Sequence, residues 1–403
     1  MRLMFGWEFG AGLGHLTRFK PIGDRLVADG AQITLALQDI DKARPFLDGT
    51  SGRPLPGYSV VQAPRWNIPN DPAIRKIPTH SFADVLNLIG VGQQGAMIHR
   101  LNAWQGLLEL ARPDLVIGDF APTLALAARG RIPSIMVGNG YTTPPRGRQM
   151  PPIRPWRDKI ESFSADHEAD ILHSTNAALV ARGDAPLEHL ADMFHGDRTF
   201  VFTLPMVDPY ARYRTTPTLP PFNLPRDIPQ KSWEARPEKS VFLYMPRTHP
   251  RVKDAIEILG MLNVAAHGYI SDLPESAVAQ YSTASLKLHA TPRNFDEVIP
   301  NARLVIHHGG LSTAIACILA GTPQLILPWN LEHLVTARGV AAAGCAMVLP
   351  NDAFEPKIYS DSVTRLVEDH AMAHTANTVA ARLDLGPPGG GVEAVLAAVR
   401  ELI

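Results

Sequence analysis

The sequence predicts an α/β protein made of two doubly wound parallel sheets. Three observations predict it. Short apolar runs alternate with helix-period segments over residues 3–137, and a second such series starts at Val241. Between the two series, Thr203 to Pro237 is dense in proline and loses all periodicity, as a connection between domains does. Glycines follow apolar runs in both series, at Gly10, Gly12 and Gly14 and again at Gly309 and Gly310, where a strand turns tightly into a helix.

The elements follow in order. Leu3 to Trp7 reads as a strand, and the glycine loop after it leads into a helix from His15 to Ala28 with Gly30 at its end. Ile33–Leu37 and Ser59–Gln62 are strands, and Phe82 to Leu110 reads as one long helix. A strand at Leu115–Gly118, a helix at Pro122–Arg129 and a strand at Ser134–Val137 complete the first series. In the second, Val241–Tyr244, Leu286–His289, Leu304–His307 and Gln324–Leu327 are strands between helices. The expected division is a first domain over 1–203, a Pro-rich linker over 204–237 and a second domain over 238–386. A C-terminal helix over 387–403 is placed to cross back to the first domain.

Bulk properties narrow the function. The 403 residues suffice for two or three cores. A formal net charge of -1 gives no global field for nucleic acid. Cys317 and Cys345 sit in apolar runs and read as core residues, not as a disulfide framework or metal ligands. The start of the chain shows no signal-peptide pattern, and no apolar run reaches the ~18 residues of a membrane span. A cytoplasmic protein is expected, with peripheral membrane contact left open.

The stretch Val305 to Pro328 carries the most chemistry. A strand ends in His307-His308, then come Gly309, Gly310, Ser312 and Thr313 at the start of a helix. Close backbone N–H groups, a helix dipole and two hydroxyls suit a diphosphate. His308 could donate to a phosphate oxygen, and Thr248, after the strand ending at Tyr244, could add a hydroxyl. His307 should point the other way. A metal site on His307, His308 and His333 is disfavoured, because adjacent strand residues diverge and no ligand set completes it. Glu332 and His333, after Pro328, could bond sugar hydroxyls. Thr291 and Phe295 could frame a nucleobase.

In the first domain, the loop with Gly12 and Gly14 delivers His15 to a strand's carboxyl end, where ligands of open α/β sheets bind. Imidazole suits a general base near neutral pH. Asp119 follows the strand Leu115–Gly118 and could orient that ring; the alternative is a helix cap before Pro122. The segment Pro144–Arg157, with Arg146, Arg148, Arg154 and Arg157, is either an acceptor loop for an anionic partner or a solvated loop.

His308-Gly-Gly-Leu-Ser-Thr313, Ala320-Gly-Thr-Pro323 and Pro328 through Ala337 resemble the donor site of GT-B inverting glycosyltransferases. These form the broad group that holds the UDP-glucuronosyltransferases and natural-product glycosyltransferases. Gly14-His15 and Asp119 are similar to the family's histidine base and its aspartate. The resemblance implies two facing Rossmann-like domains and a hexosyltransferase that needs no metal or other cofactor. The donor it implies is a nucleotide diphosphate sugar, above all a UDP-sugar, and the acceptor a hydroxyl. Gly-His-Leu-Thr-Arg18 is similar to bacterial members with lipid-linked acceptors. Ala316 replaces the family's ribose-contacting Glu, and Glu332-His333 replaces its Asp-Gln pair. The alternatives are a nucleotide-sugar 2-epimerase of the same fold and a non-catalytic sugar-nucleotide-binding helper.

Overall fold

The computed structural model describes residues 1–403 except 11, 67–77, 94, 223–230 and 388. Its strands are β1 (Arg2–Trp7), β2 (Gln32–Leu37), β3 (Tyr58–Gln62), β4 (Leu115–Asp119), β5 (Ser134–Gly138), β6 (Arg198–Val201), β7 (Ser240–Pro246), β8 (Ala265–Ser271), β9 (Leu286–His289), β10 (Leu304–His307), β11 (Gln324–Ile326) and β12 (Ala346–Val348). Helices over the same span are α1 (Gly14–Ala28), α2 (Phe82–Leu88), α3 (Ala96–Ala111), α4 (Pro122–Ala128), α5 (Ser162–Ala181), α6 (Val252–Leu259), α7 (Glu275–Tyr281), α8 (Phe295–Val298), α9 (Leu311–Leu319), α10 (Leu331–Ala342), α11 (Pro356–Leu366), α12 (His370–Ala381) and α13 (Gly390–Leu402).

Met1–Asn223 together with Gly386–Ile403 form one compact unit, and Leu224–Leu385 form a second. Each holds a six-stranded parallel sheet, ordered β3-β2-β1-β4-β5-β6 in the first and β12-β11-β10-β7-β8-β9 in the second. Strands β1, β4 and β5 are apolar along nearly their whole length because helices cover both faces. Helix α1 turns Leu16, Phe19, Ile22 and Leu26 into the first core. It ends where Gly30, at φ +86°, reverses the chain.

The last helix belongs to the first unit. Val392, Val395, Leu396 and Val399 of α13 join the core built on β1, β2 and α1. Among the described residues, no helix is long and apolar enough to cross a membrane.

Three sequence expectations differ from the structure. Phe82 to Leu110 is two helices, α2 and α3, because the chain turns through Gly90 and Gly95, both at positive φ. Strand β8 was not foreseen: it alternates buried and outward residues, with His267 and Tyr269 facing out, and so lacks a continuous apolar run. The Pro-rich stretch is not a free tether over its first half. Leu219 bridges to Phe202, Tyr210 is buried, and Arg214 donates to Gly140 O at 2.9 Å and to Thr143 O at 3.0 Å. Those contacts hold 203–222 to the first unit.

Because α13 completes a core, truncating one of its side chains should be felt there. Leu396→Ala should lower unfolding stability by about 2–5 kcal/mol, measured by urea denaturation followed through tryptophan fluorescence.

Candidate active site

In the first sheet the strand order reverses between β1 and β4, with β2 and β3 on one side of that pair and β5 and β6 on the other. The connections leaving β1 and β4 run apart and open a gap at the strands' carboxyl ends. The register sets Trp7 beside Asp119 at those ends. Helix α1 starts within one loop of Trp7, and its first turn carries His15 to the same place.

There the ring Nδ1 of His15 lies 2.8 Å from Asp119 Oδ1. Arg18, one turn further along α1, donates from Nε to Asp119 Oδ2 at 2.6 Å and from its terminal nitrogen to Oδ1 at 3.0 Å. Asp119 is wholly buried, and His15 and Arg18 nearly so. Burial pushes the Asp119 carboxyl up. The Arg18 guanidinium and His15 outweigh that and hold it at about 2. An ionised oxygen 2.8 Å from a ring nitrogen assigns the proton to Nδ1, leaving the lone pair on Nε2.

The packing holds the ring in that pose. Trp7 stacks on it, with centroids 5.1 Å apart, and Phe120 lies at 6.3 Å. Gly10, at φ +91°, leaves the other side open: a Cβ there would come within 2.5 Å of His15 Nε2. Phe120 itself sits at φ +49°, a strained turn for a residue with a side chain. It lets the Phe120 carbonyl accept from Phe9 N at 3.1 Å. Gly12 is exposed and Gly14 opens α1; neither touches the ring in the structure.

Asp119 does not cap the helix that follows it. That task falls to Glu8, which the sequence reading passed over. Its buried carboxylate accepts from Thr123 N at 3.0 Å, from the Thr123 hydroxyl, and from Trp66 Nε1 at 2.6 Å, at the start of α4. Burial pushes its carboxyl up against those donors. With the cap supplied from β1's end, Asp119 is released to His15 and Arg18.

The second sheet repeats the arrangement. Its order reverses between β7 and β10, with Tyr244 beside His307 in the register. His307 is buried; its Nε2 donates to Gln324 Oε1 at 2.9 Å and its Nδ1 accepts from Gly309 N at 3.1 Å. It is a brace for the turn. Gly309 takes φ +97°, and a Cβ there would press on the His333 backbone at 3.0 Å. Gly310 leads into α9 with no side-chain cap, so the first amides of α9 stay open. Ser312 is exposed on that turn while Thr313 is buried.

His308 and His333 meet edge to face, with centroids 4.8 Å apart. The buried Nδ1 of each has no hydrogen-bond partner. Burial and the neighbouring His333, His307 and His249 push His308 down to about 2, and burial holds His333 at about 4. A neutral His308 ring offers an N–H and a lone pair, not a charge. His249, unremarked in the sequence, donates to Leu327 O at 2.9 Å and ties the end of β7 to that of β11. Thr248 and Arg247 are exposed beside it. Phe295, at the start of α8, packs on Tyr244 at 5.3 Å, and Tyr244 lies 5.6 Å from His308. Thr291 is exposed. Glu332 lies in the first turn of α10, where Asn330 caps the helix. Among the described residues, no three His, Cys, Asp or Glu side chains are grouped to hold a metal ion.

The arginine-rich segment is less solvated than its composition suggests. Met150 and Ile153 are buried, Met150 N donates to Glu168 at 3.0 Å, and Ile153 N to His80 O at 2.9 Å.

The depressed Asp119 carboxyl makes a pH prediction. Its stabilisation is fully present above its ordinary value of 3.8 and is lost as pH falls toward 2. The stability gap between the wild type and Asp119→Asn should therefore be constant at neutral pH and narrow in acid, by urea denaturation at a series of pH values.

Comparison with known proteins bears on the fold and the family resemblance. Residues 292–393 match the family model of the erythromycin biosynthesis protein CIII-like C-terminal domain. The chain is 25% identical over 352 residues to L-demethylnoviosyl transferase of Streptomyces niveus, covering 85% of this chain and 83% of that one. It is 24% identical to 10-deoxymethynolide desosaminyltransferase of Streptomyces venezuelae, covering 68% of this chain and 63% of the relative. The crystal structure of glycosyltransferase VinC in complex with dTDP superposes with a TM-score of 0.67 at 18% identity, over 100% of this chain and 99% of that one. The chain thus has the GT-B fold, its residues 292–393 match the EryCIII-like C-terminal domain, and over most of its length it is similar to natural-product glycosyltransferases.

Proposed function

We propose that the chain moves a hexose from a pyrimidine nucleoside diphosphate to an acceptor hydroxyl with inversion, without a metal ion. The single observation that carries this reading is the His15–Asp119 pair at the first switch point, with Nε2 left as the lone-pair nitrogen. His15 Nε2 takes the acceptor proton as the acceptor oxygen bonds the anomeric carbon. The bond from that carbon to the phosphate oxygen breaks, and the nucleoside diphosphate leaves with the electron pair. Asp119 stabilises the imidazolium that forms.

The second unit supports the donor half. The uncapped first amides of α9, Ser312, Thr313 and Thr248 are assigned to the diphosphate, together with His308, whose buried Nδ1 has no hydrogen-bond partner. Glu332 and His333 are assigned to the sugar, and Thr291 and Phe295 to the base. The resemblance points to uridine; VinC, the structural neighbour, was crystallised with dTDP. Both nucleotides belong in the same binding test. Beside His15 the half-buried Phe120 fronts an aromatic wall whose other members, Trp7 and Phe9, are buried, with rings 5.1 to 6.3 Å apart. That wall favours an acceptor hydroxyl carried on an apolar body.

Two measurements test the reading. His15→Ala should lower turnover by ~10²–10⁴-fold while dTDP and UDP affinity by calorimetry stays unchanged; full turnover would remove His15 as the base. His308→Ala should weaken nucleoside diphosphate binding by about ten- to a hundredfold, the loss of a hydrogen bond to a charged group.

A further inference from the structure

We infer that Arg18 is a positioning residue for the base: it keeps Asp119 oriented and ionised in a dry site, and so fixes the His15 tautomer that can accept a proton. The inference rests on the reading of His15 as base.

The geometry supports it as follows. Asp119 is fully buried, and among the described residues its carboxylate has three polar contacts, one with His15 and two with Arg18. Arg18 holds both carboxylate oxygens at once, so the carboxylate plane cannot turn away from His15. No other cation bonds Asp119 among the described residues. Without Arg18, a buried carboxylate would keep one neutral partner, and burial would favour its protonated form. A protonated Asp119 can donate to Nδ1. The ring proton then belongs on Nε2, and the lone pair the reaction needs is gone.

Arg18 also lies 3.3 Å from His15 Nδ1. Two donors meet there when Nδ1 carries its proton, which is tolerable only because both point at the same carboxylate. The i, i+3 spacing on α1 puts the two side chains on one helix face. The arrangement of base, carboxylate and counter-charge is thus set by one helical turn and one strand end.

The test needs no substrate. Nitrogen chemical shifts of isotope-labelled histidine in the full chain distinguish Nδ1–H from Nε2–H, with the His15 signal assigned by its loss in His15→Gln. At about pH 8, where an ordinary imidazole is neutral, the wild type should show the Nδ1–H pattern at His15. Arg18→Met should lose it to a mixed or Nε2–H pattern. A wild-type pattern in folded Arg18→Met overturns the inference, with folding checked by near-ultraviolet circular dichroism. Should Arg18→Met not fold, the wild-type spectrum decides, because an Nε2–H His15 there overturns the inference by itself. The two readings fail separately. Full turnover in His15→Ala removes the base and leaves the tautomer result standing, whereas an unchanged Arg18→Met spectrum removes only the role of Arg18.

Discussion

Parallel strands cannot be joined by tight turns, and this constraint organises both units. Each strand must be followed by a helix that crosses back over the sheet. Where the strand order reverses, the two crossovers depart to opposite sides and the carboxyl ends between them stay uncovered. In the first sheet that place lies between β1 and β4, and in the second between β7 and β10. Buried ionisable groups with shifted titration sit there: Asp119 in one unit, His308 and His333 in the other.

The two places solve opposite electrostatic problems. In the first unit a full negative charge is buried, and a guanidinium compensates it at 2.6 Å. In the second, four imidazoles crowd together and burial keeps them neutral. His307 and His249 have settled partners for both ring nitrogens. His308 and His333 each keep a buried nitrogen without one. A neutral ring can offer a phosphate a hydrogen bond without first paying to lose a proton or a counter-ion, while the open amides of α9 supply the positive potential.

Much of this was legible in the sequence, for reasons that can be named. Continuous apolar runs such as Leu304–His307 mark strands covered on both faces; that strand was placed to the residue, and β1, β4 and β5 to within one residue. Glycine after such a run marks a strand end, which led to His15 and His308. What stayed hidden depends on partners far apart in the chain. Glu8 acts on Thr123, 115 residues away, and nothing local distinguishes it from a surface glutamate. Arg18 reads as one more basic residue on an amphipathic helix until Asp119 is set beside it, 101 residues on. His249 and Tyr244 needed the β7–β10 pairing to become neighbours of His308. Helix α5 and strand β8 were missed because their outward faces interrupt the apolar pattern with polar and histidine side chains.

Helix α13 has a consequence for the order in which the chain can fold. Residues 224–385 lie between two stretches that share one core, since Val395 and Leu396 pack with Leu3, Phe19 and Leu37. On the ribosome, the second unit emerges with every residue of its core before α13 has been made. The first unit, although it begins the chain, has to wait for the last helix to close over its apolar side. Its nascent form exposes that side throughout synthesis of the second unit, so the unit that holds His15 and Asp119 is the one whose closure waits on the end of the chain.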